Sequence, residues 1–470
     1  MELTSPFSKT WDSSPLASGD KIEYEYIPFD DRLENIQLYN PGGHHPVHLD
    51  DIIDVRFRVV HKLGNGGCGI VWLCRDITLG KWRAVKILTA DYSSRGNEQR
   101  MIDHLRARCT PEELEQNHIA MPLDQFWLDG PNGRHLCLVM PILGSTVSEW
   151  REWQDDLKEQ TTTDTRNVCR QIIKASSFMR SRGICHGDFR PGNILMKIEG
   201  DLDHLNDDQI YELMGEPQCY TINTESGEPA GLRAPEYSVA PVVTSWCEDM
   251  SAASIAVVDF GEAFLVDRPP KSTGIPDAYA APELIFDRAG VSIENCDIWS
   301  LACTIYEVRT GSPLFDPILA SGGCAVMKEV EIYIGMLPRA YATALAEMMT
   351  EIRGRSKRDA DGPKPQPPQR ERPRKEDLQP ENTISEKVQR ARERLVQGTE
   401  YSDPFEADLG RDKIYWGANG PEDEEPLQYR YSREEVLEFA DLLRRMLRYD
   451  PDDRIKFDEI LAHPWIWCRE

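Results

Sequence analysis

The chain has 470 residues, 40% of them hydrophobic, and a formal net charge of -26. That length exceeds one ordinary core, so two lobes or domains are expected; the acidity disfavours wholesale binding to nucleic acid or an anionic membrane and suits basic protein partners. The 12 cysteines are scattered without a CxxC pair, and no 18-residue apolar run exists, which argues against a disulfide framework, a zinc site or a membrane span and for the cytosol or nucleus.

In chain order, residues 1 to about 38 are polar, and only partial order is expected there. Tyr39 to Val47 reads YNPGGHHPV, a turn-rich lead-in. His44 and His45 have no acidic or cysteine partner at ligand spacing, so a metal is not expected. From Phe57 the pattern is strand, glycine loop, strand. Phe57 to Leu63 runs into Gly64, Gly66 and Gly69, and Ile70 to Cys74 follows. Such a hairpin can lay backbone N–H groups over phosphates, because glycine permits close approach. A lone GxGxxG also fits a dinucleotide fold. Here a strand follows the loop, not a helix, and Val71 stands two residues past the third glycine, which favours a nucleotide-covering hairpin.

Trp82 to Leu88 reads as a third strand. Alternation places Ala84 and Lys86 on one face, Val85 and Ile87 on the other. A lysine among apolar neighbours calls for a partner. The helical segment Asn97 to Leu105 carries a stripe of Met101, Ile102 and Leu105, with Glu98 at its edge, placed to meet Lys86. His135 to Met140 is another strand, broken at Pro141 to Gly144, a hinge. A helix from about Thr163 to Arg182 buries Val168, Ile172, Ile173 and Met179.

That helix delivers the chain into His186-Gly187-Asp188-Phe189-Arg190-Pro191-Gly192-Asn193. Glycine and proline exclude regular helix, so a carboxylate and an amide stand five residues apart on a loop. Phosphoryl transfer needs a carboxylate for the nucleophile and an oxygen ligand for magnesium. Asp188 and Asn193 have the types and spacing for both. Residues 200–254 then interrupt with acidic turns, and Ala234-Pro235-Glu236 inside them is a decoy for a later motif. Ile255 to Val258 forms a buried strand ending in Asp259-Phe260-Gly261, whose carboxylate can reach a metal. Ala281-Pro282-Glu283 and a helix from Asp297 follow. Asp297 is expected to accept backbone hydrogen bonds from the 186–193 loop. Residues about 350–426 are basic and Pro-rich, then acidic, and read as an excursion with little stable core. Ser432 to Glu435 is a capping-box pattern, and Val436, Phe439, Leu443, Met446 and Leu447 form a buried face. Arg454 and a last helix to Trp465 close the pattern.

With these motifs in this order, residues 57 to 466 resemble a eukaryotic protein kinase. The resemblance implies an α+β bilobal fold. Residues 1–56 would be an extension and lead-in. A small antiparallel-sheet N-lobe with one helix would span 57–140, and a larger, mainly helical C-lobe 141–466. It implies ATP and Mg²⁺ as cofactors. Leu63, Gly64, Asn65, Gly66, Gly67, Cys68, Gly69, Val71, Ala84, Lys86, Glu98 and Leu143 would then surround ATP. Asp188 would be the base, and Asn193 and Asp259 the metal ligands. Arg190 would lie beside the transferred phosphoryl group, where kinases usually carry lysine. Glu283 and Arg454 would meet in a buried ion pair. More narrowly the chain resembles the SR-protein kinases, especially fungal ones. The carrying residues are YNPGGHHPV, the HGD at 186–188 without the usual arginine, the spacer before Asp259, Glu329 to Pro338, and AHPW at 462–465. This implies a serine/threonine kinase, a monomer, acting on serines in Arg/Ser-rich, splicing-type proteins, with no direct nucleic-acid or membrane contact, in the cytoplasm and/or nucleus. A pseudokinase scaffold and a small-molecule phosphotransferase of the choline or aminoglycoside kinase type stand as alternatives.

Overall fold

Alternating apolar residues from Ile52 onward build one six-stranded antiparallel sheet. Its strands are β1 (Ile52–Ile53), β2 (Phe57–Gly66), β3 (Gly69–Asp76), β4 (Lys81–Leu88), β5 (Asp124–Gly130) and β6 (Gly133–Met140), in the order β1-β2-β3-β4-β6-β5. The computed structural model describes residues 21–27, 32–156, 158–229, 231–286, 290–315, 323–355, 373–381, 384–415 and 427–467. Two compact units emerge. The first comprises 1–97, 121–142 and 200–246; the second comprises 98–120, 143–199 and 247–470.

In the sheet unit, register sets what each face carries. Ile70 and Trp72 of β3 stand opposite Ile87 and Val85 of β4, and all four belong to the core. Val71 and Leu73 stand opposite Lys86 and Ala84 on the other face, as alternation requires. The apolar face is covered from two distant stretches of chain. Tyr24, Ile36, Tyr39 and Val47 come from the lead-in, and Ile222, Ala234 and Val239 from residues 200–246. Those two stretches also pair with each other, through Glu25 N–H to Asn223 O at 2.9 Å and Glu225 N–H to Glu23 O at 3.0 Å.

One buried polar knot ties them to the sheet. Lys62 of β2 donates to Glu34, and Tyr39 and Ser238 donate to the same carboxylate at 2.7 Å each. The Lys62 and Glu34 side chains are 0% and 1% exposed. Burial alone would raise the Glu34 carboxyl, but Lys62 and the two hydroxyls hold it below its usual range. The acidic turns of residues 200–246 are used as well. Asp203 accepts from Trp82 N–H at 2.7 Å, and Asp207 from Arg58 at 2.6 Å. His44 is 2% exposed and packs edge-on against Tyr39, and burial drops its imidazole to about 4.

The helical unit is built around Cys296–Thr310, a helix in which every residue is buried. A helix buried all round must place its polar side chains against neighbouring elements, and Asp297, Ser300, Thr304, Glu307 and Arg309 each hold one here. The longest helix, Glu159–Ser181, packs beside it and buries Val168, Ile172, Ile173 and Met179, all 0% exposed. It starts a turn before the expected Thr163. Residues Arg433–Met446 form the expected helix, with Phe439 stacked on Trp465 at 4.1 Å between ring centroids.

Two expectations need correction. Residues 350–426 were expected to carry little stable core. The basic run from 356 to 372 and the acidic run at Glu422 to Glu425 lie outside the described residues. The stretch between them packs, however. Lys375–Leu378, Glu386–Val396 and Pro404–Leu409 are helical, and Leu378, Phe405, Ala407 and Leu409 are buried. The apolar residues of a short helix decide its burial, not the average composition of the window. The second correction concerns the capping box. Ser432 does accept from Glu435 N–H, but the Glu435 carboxylate is taken elsewhere. Arg309 binds it at 2.7 and 3.0 Å and Arg166 at 3.1 Å.

This buried Arg166–Glu435–Arg309 cluster gives a pH prediction. Burial alone would raise the Glu435 carboxyl, but the two guanidinium groups hold it below its usual 4.5. A carboxylate depressed in the folded state contributes stability that is fully present above the unfolded value. That contribution is lost as pH falls through the folded value. The stability gap between wild type and Glu435→Gln should therefore be full at neutral pH and shrink below about pH 4.5. Denaturant unfolding across pH checks this; a gap that stays constant into acid would contradict it.

Candidate active site

The predicted site residues divide between the two units. Leu63 to Gly69 and Val71 lie on the β2–β3 hairpin, and Ala84 and Lys86 on β4. Glu98, Leu143, Asp188, Arg190, Asn193 and Asp259 belong to the helical unit.

In the hairpin, Gly66 pairs with Gly69 across a two-residue turn, Gly67-Cys68. The glycines differ in what they do. A Cβ at Gly69 would lie 2.4 Å from Ile87 O, so packing against β4 requires that one. A Cβ at Gly64, Gly66 or Gly67 would meet nothing within 4 Å. None of the three has a positive φ. The fold therefore does not demand these glycines, and their bare backbone is available for close approach by a ligand.

In the helical unit, the 186–193 loop is suspended from the buried helix. Asp297 accepts from His186 N–H at 2.5 Å and Gly187 N–H at 3.1 Å, and the Thr304 hydroxyl donates to Phe189 O at 3.3 Å. The expectation for Asp297 holds. His186 is fully buried and braces the loop from within. Its Nε2 lies 3.0 Å from Val258 O, and its Nδ1 3.4 Å from Asp188 N–H.

Asp188 is thereby set into a network of charged and amide donors. Asn193 Nδ2 donates to its Oδ2 at 2.7 Å and its carbonyl at 2.8 Å. Arg190 Nε lies 3.0 and 3.2 Å from the two carboxylate oxygens. Burial raises the Asp188 carboxyl above its usual 3.8; Arg190, His186 and Asn193 pull it down but do not cancel the rise. A carboxylate with a raised value is a better proton acceptor near neutral pH. With its Nδ2 committed to Asp188, Asn193 keeps its side-chain Oδ1 for another partner, while its backbone carbonyl is used within the fold. Val258 N–H bonds Asn193 O at 3.0 Å, which links this loop to the turn carrying Asp259. Asp259 has a φ of 65°. For a residue with a Cβ the left-handed region costs roughly 1–2 kcal/mol, and such strain gathers at working sites. A Cβ on Gly261 would lie 3.2 Å from Asp259 Oδ1 and 3.8 Å from Glu98 Oε2, so Glu98 borders this turn.

Gly187 stands where an arginine is usual, and the structure gives the reason. Its φ is 75°, and a Cβ there would lie 2.3 Å from Glu262 O. Backbone cannot yield as a flexible side chain can. The Glu262 carboxylate in turn accepts from Gly274 N–H at 2.9 Å, in the segment leading to Ala281. Downstream, Ser300 donates to Tyr279 O at 3.0 Å and Tyr279 donates to Glu307 at 2.5 Å. Direct contacts thus hold the segment at both ends. Gly187→Arg is expected to lower the melting temperature and abolish most turnover. A thermal melt and a peptide assay check this, and a stable, active Gly187→Arg protein would contradict it.

Further along, Glu283 and Arg454 form the expected pair, at 2.6 and 2.7 Å, with both side chains 0% exposed. Sequence reading missed Glu262 and Gly192. The Glu262 partner lies 12 residues away with no motif between them. Gly192 carried a signal, a glycine beside an unusual arginine, that went unused.

Comparison with protein families matches the protein kinase domain over residues 57–212 and 248–466. The chain belongs to the protein kinase family. It is 26% identical over 328 residues to the serine/threonine-protein kinase SRPK of Physarum polycephalum, covering 67% of this chain and 75% of that one. Against a serine/threonine protein kinase of Aspergillus fumigatus it is 25% identical over 473 residues, covering 96% and 92%. Longer relatives named spk-1 and SRSF protein kinase 3 are matched over only 16% and 30% of their own lengths. A kinase-domain crystal structure superposes with a TM-score of 0.52 at 20% identity, covering 90% of this chain and 98% of that one, which supports the fold. Within its family the chain is of the serine/threonine protein kinase class, similar to the SR-protein kinases.

Proposed function

We propose that this chain transfers the γ-phosphate of ATP to serine in Arg/Ser-rich protein substrates. The observation that carries the reading is the Asp188–Asn193–Arg190 network, a raised carboxylate with an amide oxygen left over beside it. Asp188 would orient the substrate hydroxyl and take its proton. Asn193 and Asp259 would hold Mg²⁺, whose preference for hard oxygen ligands fits the Asn193 carbonyl and the Asp259 carboxylate. When bound, the metal ion neutralises charge on the phosphates. Gly64, Gly66 and Gly67, open to close approach, and Lys86 are assigned to the ATP phosphates.

The net charge of -26 supports a basic substrate, and the names SRPK and SRSF protein kinase among relatives point the same way. Ten of the described cysteines are free thiols, which supports the cytoplasm or nucleus. A monomer without nucleic-acid or membrane contact completes the proposal. The pseudokinase alternative lacks support because every base and metal residue is present. The family match over 248–466 disfavours the small-molecule alternative.

A substrate panel tests the reading. With Mg-ATP, an Arg/Ser peptide should be phosphorylated faster than a generic basic protein, and choline not at all. Preference for choline, or transfer to no acceptor, would overturn it.

A further inference from the structure

Gly192 sits in the short 3-10 turn Pro191–Asn193. Its φ is not in the left-handed region, so the backbone there accepts any side chain. The space is another matter. A Cβ on residue 192 would lie 2.4 Å from Nη1 of Arg190, 3.3 Å from its Cζ and 3.8 Å from its Nη2. These three nearest atoms all belong to one guanidinium group. From that position Arg190 reaches both oxygens of Asp188 with Nε, and among the described residues its Nη1 and Nη2 make no hydrogen bond. A lysine at 190 would end in a compact ammonium and would not need the volume over residue 192.

We propose that Gly192 is a positioning residue for phosphoryl transfer, vacant at Cβ so that the Arg190 guanidinium can seat beside Asp188 with two nitrogens turned to the substrate. This rests on the kinase reading above. It makes residues 190 and 192 one unit: the arginine works here only because a glycine follows two places later. The displaced group would be the far end of a flexible side chain. Gly192→Ala should therefore leave the fold standing while pushing the guanidinium off the carboxylate. Withdrawing the guanidinium leaves the Asp188 carboxylate without its two contacts to Nε.

The test uses the full chain as wild type, Gly192→Ala, Arg190→Lys and the double variant. Three quantities are measured: kcat and KM, the melting temperature, and the Arg190 Nε–H resonance by ¹⁵N NMR, which reports the contact with Asp188 and needs no turnover. In the arginine background, Gly192→Ala should lower kcat about tenfold, shift the Arg190 Nε–H resonance and leave the melting temperature unchanged. In the lysine background the same change should have little effect on kcat. An equal fall in kcat in both backgrounds would overturn the proposal, as would an unchanged kcat and Nε–H resonance in Gly192→Ala. If wild type transfers no phosphate, the kinase reading falls instead, and the Arg190 Nε–H resonance in Gly192→Ala still decides whether 190 and 192 are coupled.

Discussion

Asp188→Asn is expected to lower kcat by roughly 10²–10⁴-fold while ATP still binds. The substitution keeps the size of the side chain and removes its charge and basicity. In the wild type both carboxylate oxygens are acceptors, one for Asn193 Nδ2 and both for Arg190 Nε. An asparagine can accept through one oxygen only, and its own NH₂ would face a donor. The Arg190–Asn193 arrangement should therefore loosen locally. The loop itself should stay, because Asp297 and Thr304 hold it through backbone atoms of His186, Gly187 and Phe189. The expected signature is a large fall in kcat, a small change in ATP affinity and little change in melting temperature. Turnover equal to wild type would remove Asp188 from the chemistry.

The second large effect is on stability. Glu283 and Arg454 are bound through two parallel hydrogen bonds with no solvent access, and Arg454 also donates to Asn295 O at 2.9 Å and Arg448 O at 3.0 Å. One side chain thus makes four hydrogen bonds to three groups on three stretches of chain. Arg454→Met or Glu283→Met alone should cost about 3–5 kcal/mol, because either leaves a buried charge without its partner. The double variant should cost less than the two single losses added, since it strands no charge. Denaturant unfolding of the three proteins measures this. Single variants within about 1 kcal/mol of wild type would show that the pair contributes little.

What the sequence made legible was whatever lies close together along the chain. Asp188 and Asn193 are five residues apart, and their spacing alone placed them on one loop. The β4 alternation put Lys86 opposite the Val85 face without help from any contact. Long-range consequences were harder. Gly187 looked like a missing arginine; its backbone angle and the carbonyl of Glu262 explain why no side chain fits. The strand β5 escaped notice because none of its residues is fully buried, so its alternation is weak. Residues 375–409 were hidden by a Pro-rich, charged neighbourhood, although Leu378, Phe405 and Leu409 each reach the core. The Ser432 pattern predicted one cap bond correctly, and buried arginines claimed the other half of the motif.

Phosphate transfer by a protein that carries no phosphate of its own is the most direct test. The segment before Ala281 is tied by Glu262 to Gly274 and by Glu307 and Ser300 to Tyr279, all without a phosphate. Protein made in bacteria and treated with phosphatase should be confirmed bare at Ser272 and Thr273 by mass spectrometry. It is then mixed with Mg-ATP and an Arg/Ser peptide. The predicted result is phosphate on peptide serines, dependent on magnesium and lost in Asp188→Asn. ATP binding without transfer, or transfer only after an upstream kinase has modified the segment, would contradict it.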